Sequence, residues 1–168
     1  MFCNSTIFRK PIWIKYLLFL LMVTTAASCG RLDVYEKTLR MPNQQWDYNN
    51  SPEFTFNISD TTSFYNIYFV VRHTDAYKYN NLWVNLQMKF PGDSTVSKKI
   101  EITLASDAKG WYGKGMDDIY ELRQNISGRP VSFKRAGTCA FKISQLMREN
   151  PVQHILNAGV RVERINAR

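Results

Sequence analysis

Hydrophobic and polar residues alternate with a period of two along much of the chain from residue 53 onward. Phe54, Phe56 and Ile58 alternate with Thr55 and Asn57, which predicts a strand with one buried face. Residues 59–63, Ser-Asp-Thr-Thr-Ser, carry turn chemistry. Residues 64–74 follow as a long strand rich in aromatic and β-branched side chains. Residues 75–81 form a polar loop holding Tyr77, Tyr79 and two asparagines. Leu82, Val84, Leu86, Met88 and Phe90 then alternate with Trp83, Asn85, Gln87 and Lys89, the cleanest strand of the chain. Pro91-Gly92-Asp93-Ser94 closes it with a turn, and residues 95–104 return as its hairpin partner.

A glycine-dotted stretch, Gly110-Trp111-Tyr112-Gly113-Lys114-Gly115, comes next and leads into Asp117, Asp118, Ile119 and Tyr120. Strand propensity returns at Val131 and Phe133, and Arg135-Ala136-Gly137 turns the chain. Residues 138–147 alternate again. Residues 148–157 mix polar groups with Val152, Ile155 and Leu156 and suit one helical turn. Residues 159–165 form the last strand, with Val160 and Val162 on one face. Seven or eight strands at spacings of about ten residues, with no long helical period, predict an all-β antiparallel sandwich in one domain. A closed β-barrel is the alternative, since periodicity does not separate the two.

The first 28 residues obey a different pattern. Arg9, Lys10 and Lys15 precede an apolar run from Tyr16 to Val23, followed by Thr24-Thr25-Ala26-Ala27-Ser28-Cys29-Gly30. Basic segment, apolar core and small-residue cleavage site describe a secretory signal peptide, and the run is shorter than the roughly 20 residues a spanning helix needs. A cysteine directly after the small residues resembles the lipobox of bacterial lipoproteins. That resemblance implies cleavage before Cys29, a diacylglycerol on its thiol and acylation of the new amine. An ordinary secretory peptide with an unmodified cysteine is the plainer reading. The expected organisation is a signal peptide over 1–28, a lipidated tether over 29–50 and a β-sandwich over 51–168. Tyr35, Leu39, Met41, Pro42 and Trp46 interrupt the tether, so its later part is expected to lie against the domain.

Charge and cysteine content narrow the function classes. Removing the signal leaves 19 basic and 14 acidic residues, a mild excess with no block of consecutive Lys or Arg, so no nucleic-acid partner is expected. The excess suits either a solvated face or an anionic surface such as lipid headgroups. With Cys3 removed and Cys29 lipidated, Cys139 is the one cysteine remaining; no internal disulfide forms, and a buried inert thiol is expected.

Catalytic and metal signatures are absent from the sequence. His73 and His154 belong to no H-E-x-x-H pattern, and no G-x-S-x-G or phosphate-loop motif occurs. A scattered Ser-His-Asp set leaves no local trace in sequence. Asp117 and Asp118 are adjacent carboxylates without a conveniently spaced third oxygen ligand. No cofactor and no metal are expected. The glycines around Trp111 suit close backbone packing. Tyr77, Tyr79, Trp83, Trp111 and Tyr112 lie in or beside loops, where such rings either cap a sandwich or present a binding surface. With the polar groups Arg72, Asp75, Asn80 and Asp117, they make the candidate partner- or ligand-binding set.

Residues 65–74, Tyr-Asn-Ile-Tyr-Phe-Val-Val-Arg-His-Thr, and Tyr77-Lys78-Tyr79-Asn80-Asn81-Leu82 resemble the GldH family of gliding-motility lipoproteins from Bacteroidota. So do residues 105–115 leading into Asp117-Asp118-Ile119-Tyr120-Glu121, residues 143–148, the closing Ala158-Gly159-Val160-Arg161-Val162-Glu163, and Pro42 followed by Trp46. Cys139 stands where an aromatic such as Tyr is expected. The resemblance implies a small outer-membrane lipoprotein linked to gliding motility, whose machinery is shared with type IX secretion. It brings no catalytic residues. The expected function is a non-enzymatic accessory or scaffold component, with envelope proteins of that machinery as partners and the outer membrane reached through the anchor. Gly30-Arg31-Leu32-Asp33 is not acidic, which points to the periplasmic face. A glycan-binding envelope lipoprotein is the alternative, and a hydrolase acting on envelope polymers ranks last.

Overall fold

The computed structural model describes Trp13 and residues 33–165, and the chain divides after Arg31 into two units. The described residues of the second unit form strands, turns and loops. Thirteen strands follow in order: β1 (Asp33–Arg40), β2 (Gln45–Trp46), β3 (Glu53–Ile58), β4 (Phe64–Thr74), β5 (Asn81–Lys89), β6 (Val96–Thr103), β7 (Ala105–Ser106), β8 (Gly110–Trp111), β9 (Lys114–Met116), β10 (Ile119–Asn125), β11 (Gly137–Gln145), β12 (Val152–Gln153) and β13 (Ile155–Ile165). A single 3₁₀ turn, Pro42–Gln44, links β1 to β2.

Two antiparallel sheets carry the core. One has five strands in the order β1-β13-β4-β10-β9, the other four in the order β3-β11-β5-β6. Neither closes on itself, so the architecture is the sandwich and not the barrel. Period-two alternation explains the packing: each strand sends alternate side chains inward. Phe54, Phe56 and Ile58 of β3, Leu82, Val84 and Leu86 of β5, and Cys139, Phe141 and Ile143 of β11 form one inner layer. Tyr65, Ile67, Phe69 and Val71 of β4 and Ala158, Val160 and Val162 of β13 form the other. Tyr35 of β1 stacks on Phe56 of β3 across the gap, with ring centroids 4.9 Å apart. Cys139 is fully buried, as expected, and burial pushes its thiol pKa up to about 11.

Several boundaries differ from those expected. The stretch taken as a tether over 29–50 is sandwich from Asp33 onward. Tyr35 and Leu39 pack on the core, while Met41 and Trp46 are fully buried beneath the end of the sandwich. The expected helical turn within 148–157 is instead β12 and the start of β13, and β12 pairs with β2 through Val152 and Trp46. Val131 makes an isolated bridge to Tyr65, not a strand. The expected signal peptide and Cys29 lie outside the described residues, Trp13 excepted.

Strand direction gives the sandwich two ends. At the near pole β1 begins and β13 finishes, with Asp33 opposite Glu163 and Ile165 opposite Phe64. Loops 59–63, 90–95 and 126–136 lie at this end. At the far pole are segments 41–52, 75–80, 104–118 and 146–154.

Candidate functional site

The sequence-predicted residues gather at the far pole, though they do not form one surface. Arg72, His73 and Thr74 end β4, and loop 75–80 follows. His73 is fully buried within a ring of aromatic groups. Its centroid lies 4.6 Å from Trp111, 5.6 Å from Tyr77 and 5.8 Å from Tyr120. Nδ1 is 2.8 Å from the carbonyl of Thr74 and, as N–H, donates to it. Nε2 has no hydrogen-bond partner among the described residues. Burial lowers the imidazole pKa below its ordinary value, because the charged form would lose its hydration. A neutral ring in aromatic packing is therefore the form present at pH 7.

Tyr77 and Trp111 both belong to this box, Tyr77 buried and Trp111 half-buried. Tyr77 is buried, its hydroxyl donates to the carbonyl of Asn81 at 2.9 Å, and burial raises its pKa. Tyr79 packs edge-on against Tyr77 and donates to Glu149 at 2.7 Å. The same carboxylate pairs with Lys78 at 3.5 Å. Asn80 is exposed, and its carbonyl accepts from the backbone N–H groups of Leu104 and Ala105 at 2.6 and 3.0 Å. Asp75 is exposed, with its backbone N–H donating to the carbonyl of Asp118 at 2.8 Å. Tyr112 is half-buried, with its backbone N–H donating to the carbonyl of Leu104 at 2.7 Å. Asp117 opens the two-residue turn between β9 and β10 at φ 55°, the left-handed conformation that Asp tolerates in tight hairpins. No group of three or more His, Cys, Asp or Glu residues suited to a metal lies among the described residues.

Two grooves open beside the far pole. The first, of about 420 Å³, is lined by Tyr79, Asn81, Trp83, Leu146, Met147 and Arg148. Trp83 points outward from β5 and is 40% exposed, and Leu146 is 41% exposed. The two are held together because the backbone N–H of Leu146 donates to the carbonyl of Trp83 at 2.8 Å. Asn81 donates to Glu101 at 2.5 Å on the neighbouring strand. An exposed indole beside an aliphatic side chain, a cation and an amide is a surface suited to recognition. Leu146, Met147 and Arg148 entered the sequence reading only within the family-like segment 143–148, not as site residues. Their signal was Leu146, an exposed apolar residue just past the end of β11.

The second groove, of about 320 Å³, lies on the outer face of the five-stranded sheet and is lined by Arg72, Lys114, Gly115, Met116, Ile119, Glu121, Leu156 and Asn157. Arg72 is ion-paired to Glu121 at 2.5 Å. Glu121 also receives Arg123 at 2.9 Å, Arg123 reaches Glu36 at 3.1 Å, and Arg161 joins Glu36 to Glu163. Burial pushes the Glu121 pKa up, but Arg72 and Arg123 outweigh it and hold the carboxyl below its ordinary value. This ladder crosses β4, β10, β1 and β13 above Val70, an outward-facing residue that is fully buried. Arg72 is therefore engaged in the sheet's own charge network.

The GldH lipoprotein family model matches residues 33–162, the whole sandwich except its last three described residues. The chain belongs to the GldH lipoprotein family. It is 24% identical over 154 residues to the gliding motility lipoprotein GldH homolog of Christiangramia forsetii, covering 88% of this chain and 93% of that one. It is also 24% identical over 153 residues to gliding motility lipoprotein GldH of Flavobacterium johnsoniae, covering 87% and 94%. Among solved structures, the VP2 subviral particle of infectious bursal disease virus aligns at a TM-score of 0.34 and 16% identity, covering 80% of this chain and 31% of that one. This GldH-family chain thus spans about a third of the viral protein. The resemblance drawn from residues 65–82, 105–121 and 158–163 is borne out by the family match.

Proposed function

We propose that this GldH-family lipoprotein is a non-enzymatic accessory component of the envelope machinery for gliding motility and its associated type IX secretion. Lipidated Cys29 holds it on the periplasmic leaflet of the outer membrane, and its far pole faces a protein partner. The observation that carries this reading is the family match across residues 33–162, together with relatives named for gliding motility. The geometry supports it. Three residues, Gly30, Arg31 and Leu32, separate Cys29 from β1, so the near pole faces the lipid and the Trp83 groove is carried away from it. The segment after Cys29 carries Arg31 and Asp33 and no acidic cluster, which supports the periplasmic leaflet. A glycan in the same groove is the second reading, favoured by the pairing of Trp83 with Asn81. It ranks lower because Tyr77 is buried and Trp111 is committed to packing against His73.

The test places a photo-crosslinking residue at Trp83 in the native host. Adducts with a motility or secretion component, absent when the crosslinker stands at Lys98 on the opposite part of β6, are the expected result. Adducts equal at both positions, or with no envelope protein, overturn the docking role. Protease treatment of intact cells checks the leaflet: survival of the domain is expected, and rapid loss contradicts the periplasmic placement.

A further inference from the structure

We propose that the near pole is a docking surface for the anionic phospholipid headgroups of the leaflet that carries the anchor. This rests on the reading of Cys29 as the lipid attachment site. Loops 59–63, 90–95 and 126–136 present Arg129, Lys134 and Arg135, all exposed, and the adjoining strand ends add Lys89 and Arg164 against Asp33 and Glu163. The carboxylates in these loops are Asp60 and Asp93. Asp60 is held by the hydroxyl and backbone N–H groups of Thr62 and Ser63 and lies 3.8 Å from Arg164. Arg129, Lys134 and Arg135 have no ion-pair partner among the described residues. Arg135 lies across Gly92, where an added Cβ would meet its side chain at 2.9 Å, so loops 90–95 and 126–136 form one packed basic tip. Phe64 and Val96 stand at its rim, each 54% exposed.

The far pole has the opposite balance. Its segments hold Asp47, Asp75, Asp107, Asp117, Asp118 and Glu149 against Lys78, Lys109, Lys114 and Arg148. The molecule is therefore electrostatically polar along the axis that the anchor defines. The link from Cys29 to Asp33 reaches about 14 Å when extended. A domain so tethered keeps its near pole within one or two Debye lengths, roughly 8 Å each at physiological ionic strength, of the headgroups. Each Lys or Arg brought to an anionic surface favours docking about five-fold. Removing three cations then shifts the docked population on the order of 100-fold.

The experiment uses the full-length processed protein, purified from membranes and reconstituted into vesicles of phosphatidylcholine alone or with 30% phosphatidylglycerol. A fluorophore is attached at Ser132→Cys in the near pole or Asn80→Cys in the far pole; Cys139 is buried and does not compete. Quenching by a headgroup-linked quencher is read. The expected result is strong quenching at position 132 that needs phosphatidylglycerol and fades with salt, with little at position 80. The triple change Arg129→Ala, Lys134→Ala and Arg135→Ala abolishes it. The same charge loss at the far-pole residues Lys78, Lys109 and Lys114 leaves it intact. Equal quenching at both positions, or indifference to phosphatidylglycerol or to the triple change, overturns the proposal and leaves the basic tip to an envelope polymer or protein. Flotation with phosphatidylcholine vesicles reads the anchor separately. Should the protein fail to float, the anchor reading fails, and retention on phosphatidylglycerol vesicles decides docking: retention lost in the triple variant supports it, and no retention overturns it.

Discussion

His73 shows how a single residue changes meaning between sequence and structure. In sequence it stood near the end of the strand expected over residues 64–74 and belonged to no metal motif. In the structure it is an uncharged aromatic-box member with Nε2 unpartnered. Its lowered pKa links folding to pH. The unfolded chain takes up the proton near the ordinary value of about 6.5, whereas the folded chain resists it. The contribution to stability is therefore complete above that value and is lost as pH falls through it toward the folded pKa. Thermal unfolding between pH 7 and 5 should show a falling midpoint, and His73→Phe should flatten that part of the curve; an unchanged slope would contradict the neutral-box assignment. Gly159 makes a second residue-scale case. A Cβ there would meet the carbonyl oxygen of Lys37 at 2.3 Å and Cα of Thr38 at 2.7 Å. Gly159→Ala should cost about 1–3 kcal/mol by forcing β1 away from β13, read as a lower urea midpoint. Neither role was legible, because burial of a loop-edge ring and close strand approach depend on residues dozens of positions away.

The elements most legible in sequence were those whose alternation is strict. β3, β4, β5, β6 and β11 fall within two residues of their expected ends. β1 and β10 were hidden by charge. β1 is an edge strand with Lys37 at an inward register position opposite Val160, and charged residues on such edges discourage pairing with other chains. β10 carries Glu121 and Arg123 of the outer ladder, which breaks its apolar pattern. The practical consequence falls on β2. Trp46 is fully buried, its indole N–H donates to the carbonyl of Asn50 at 2.7 Å, and its strand pairs with β12. Trp46→Ala should cost about 3–5 kcal/mol. A chain beginning at residue 51 should lose cooperative unfolding altogether. Retention of native near-ultraviolet circular dichroism in that shortened chain would restore the tether boundary expected at residue 50.

At the scale of the whole molecule, strand count and turn spacing sufficed for a sandwich or a barrel, and only the pairing order separates them. The candidate site was legible as a region but not as a surface. Tyr79 and Trp83 share a groove, while Tyr77 and Trp111 turn inward and Arg72 joins the ladder on the other sheet. The described sandwich has an axis, with the start of β1 at one end and the Trp83 groove toward the other. Two interactions of unequal size act along it. Lipidation contributes about 0.8 kcal/mol per buried CH₂, and more than one chain gives lasting attachment. The exposed cations contribute about 1 kcal/mol each, and only within a Debye length of the surface. On the proposed reading, the anchor decides whether the protein is on the membrane, and the basic tip decides how it stands there. Cys29→Ala should leave the protein unprocessed or release it to the soluble fraction, while the triple change at Arg129, Lys134 and Arg135 should leave membrane retention intact. Fractionation of cells expressing each variant separates the two contributions. Retention of a cleaved Cys29→Ala protein would assign attachment to the basic tip and remove the lipid from the account.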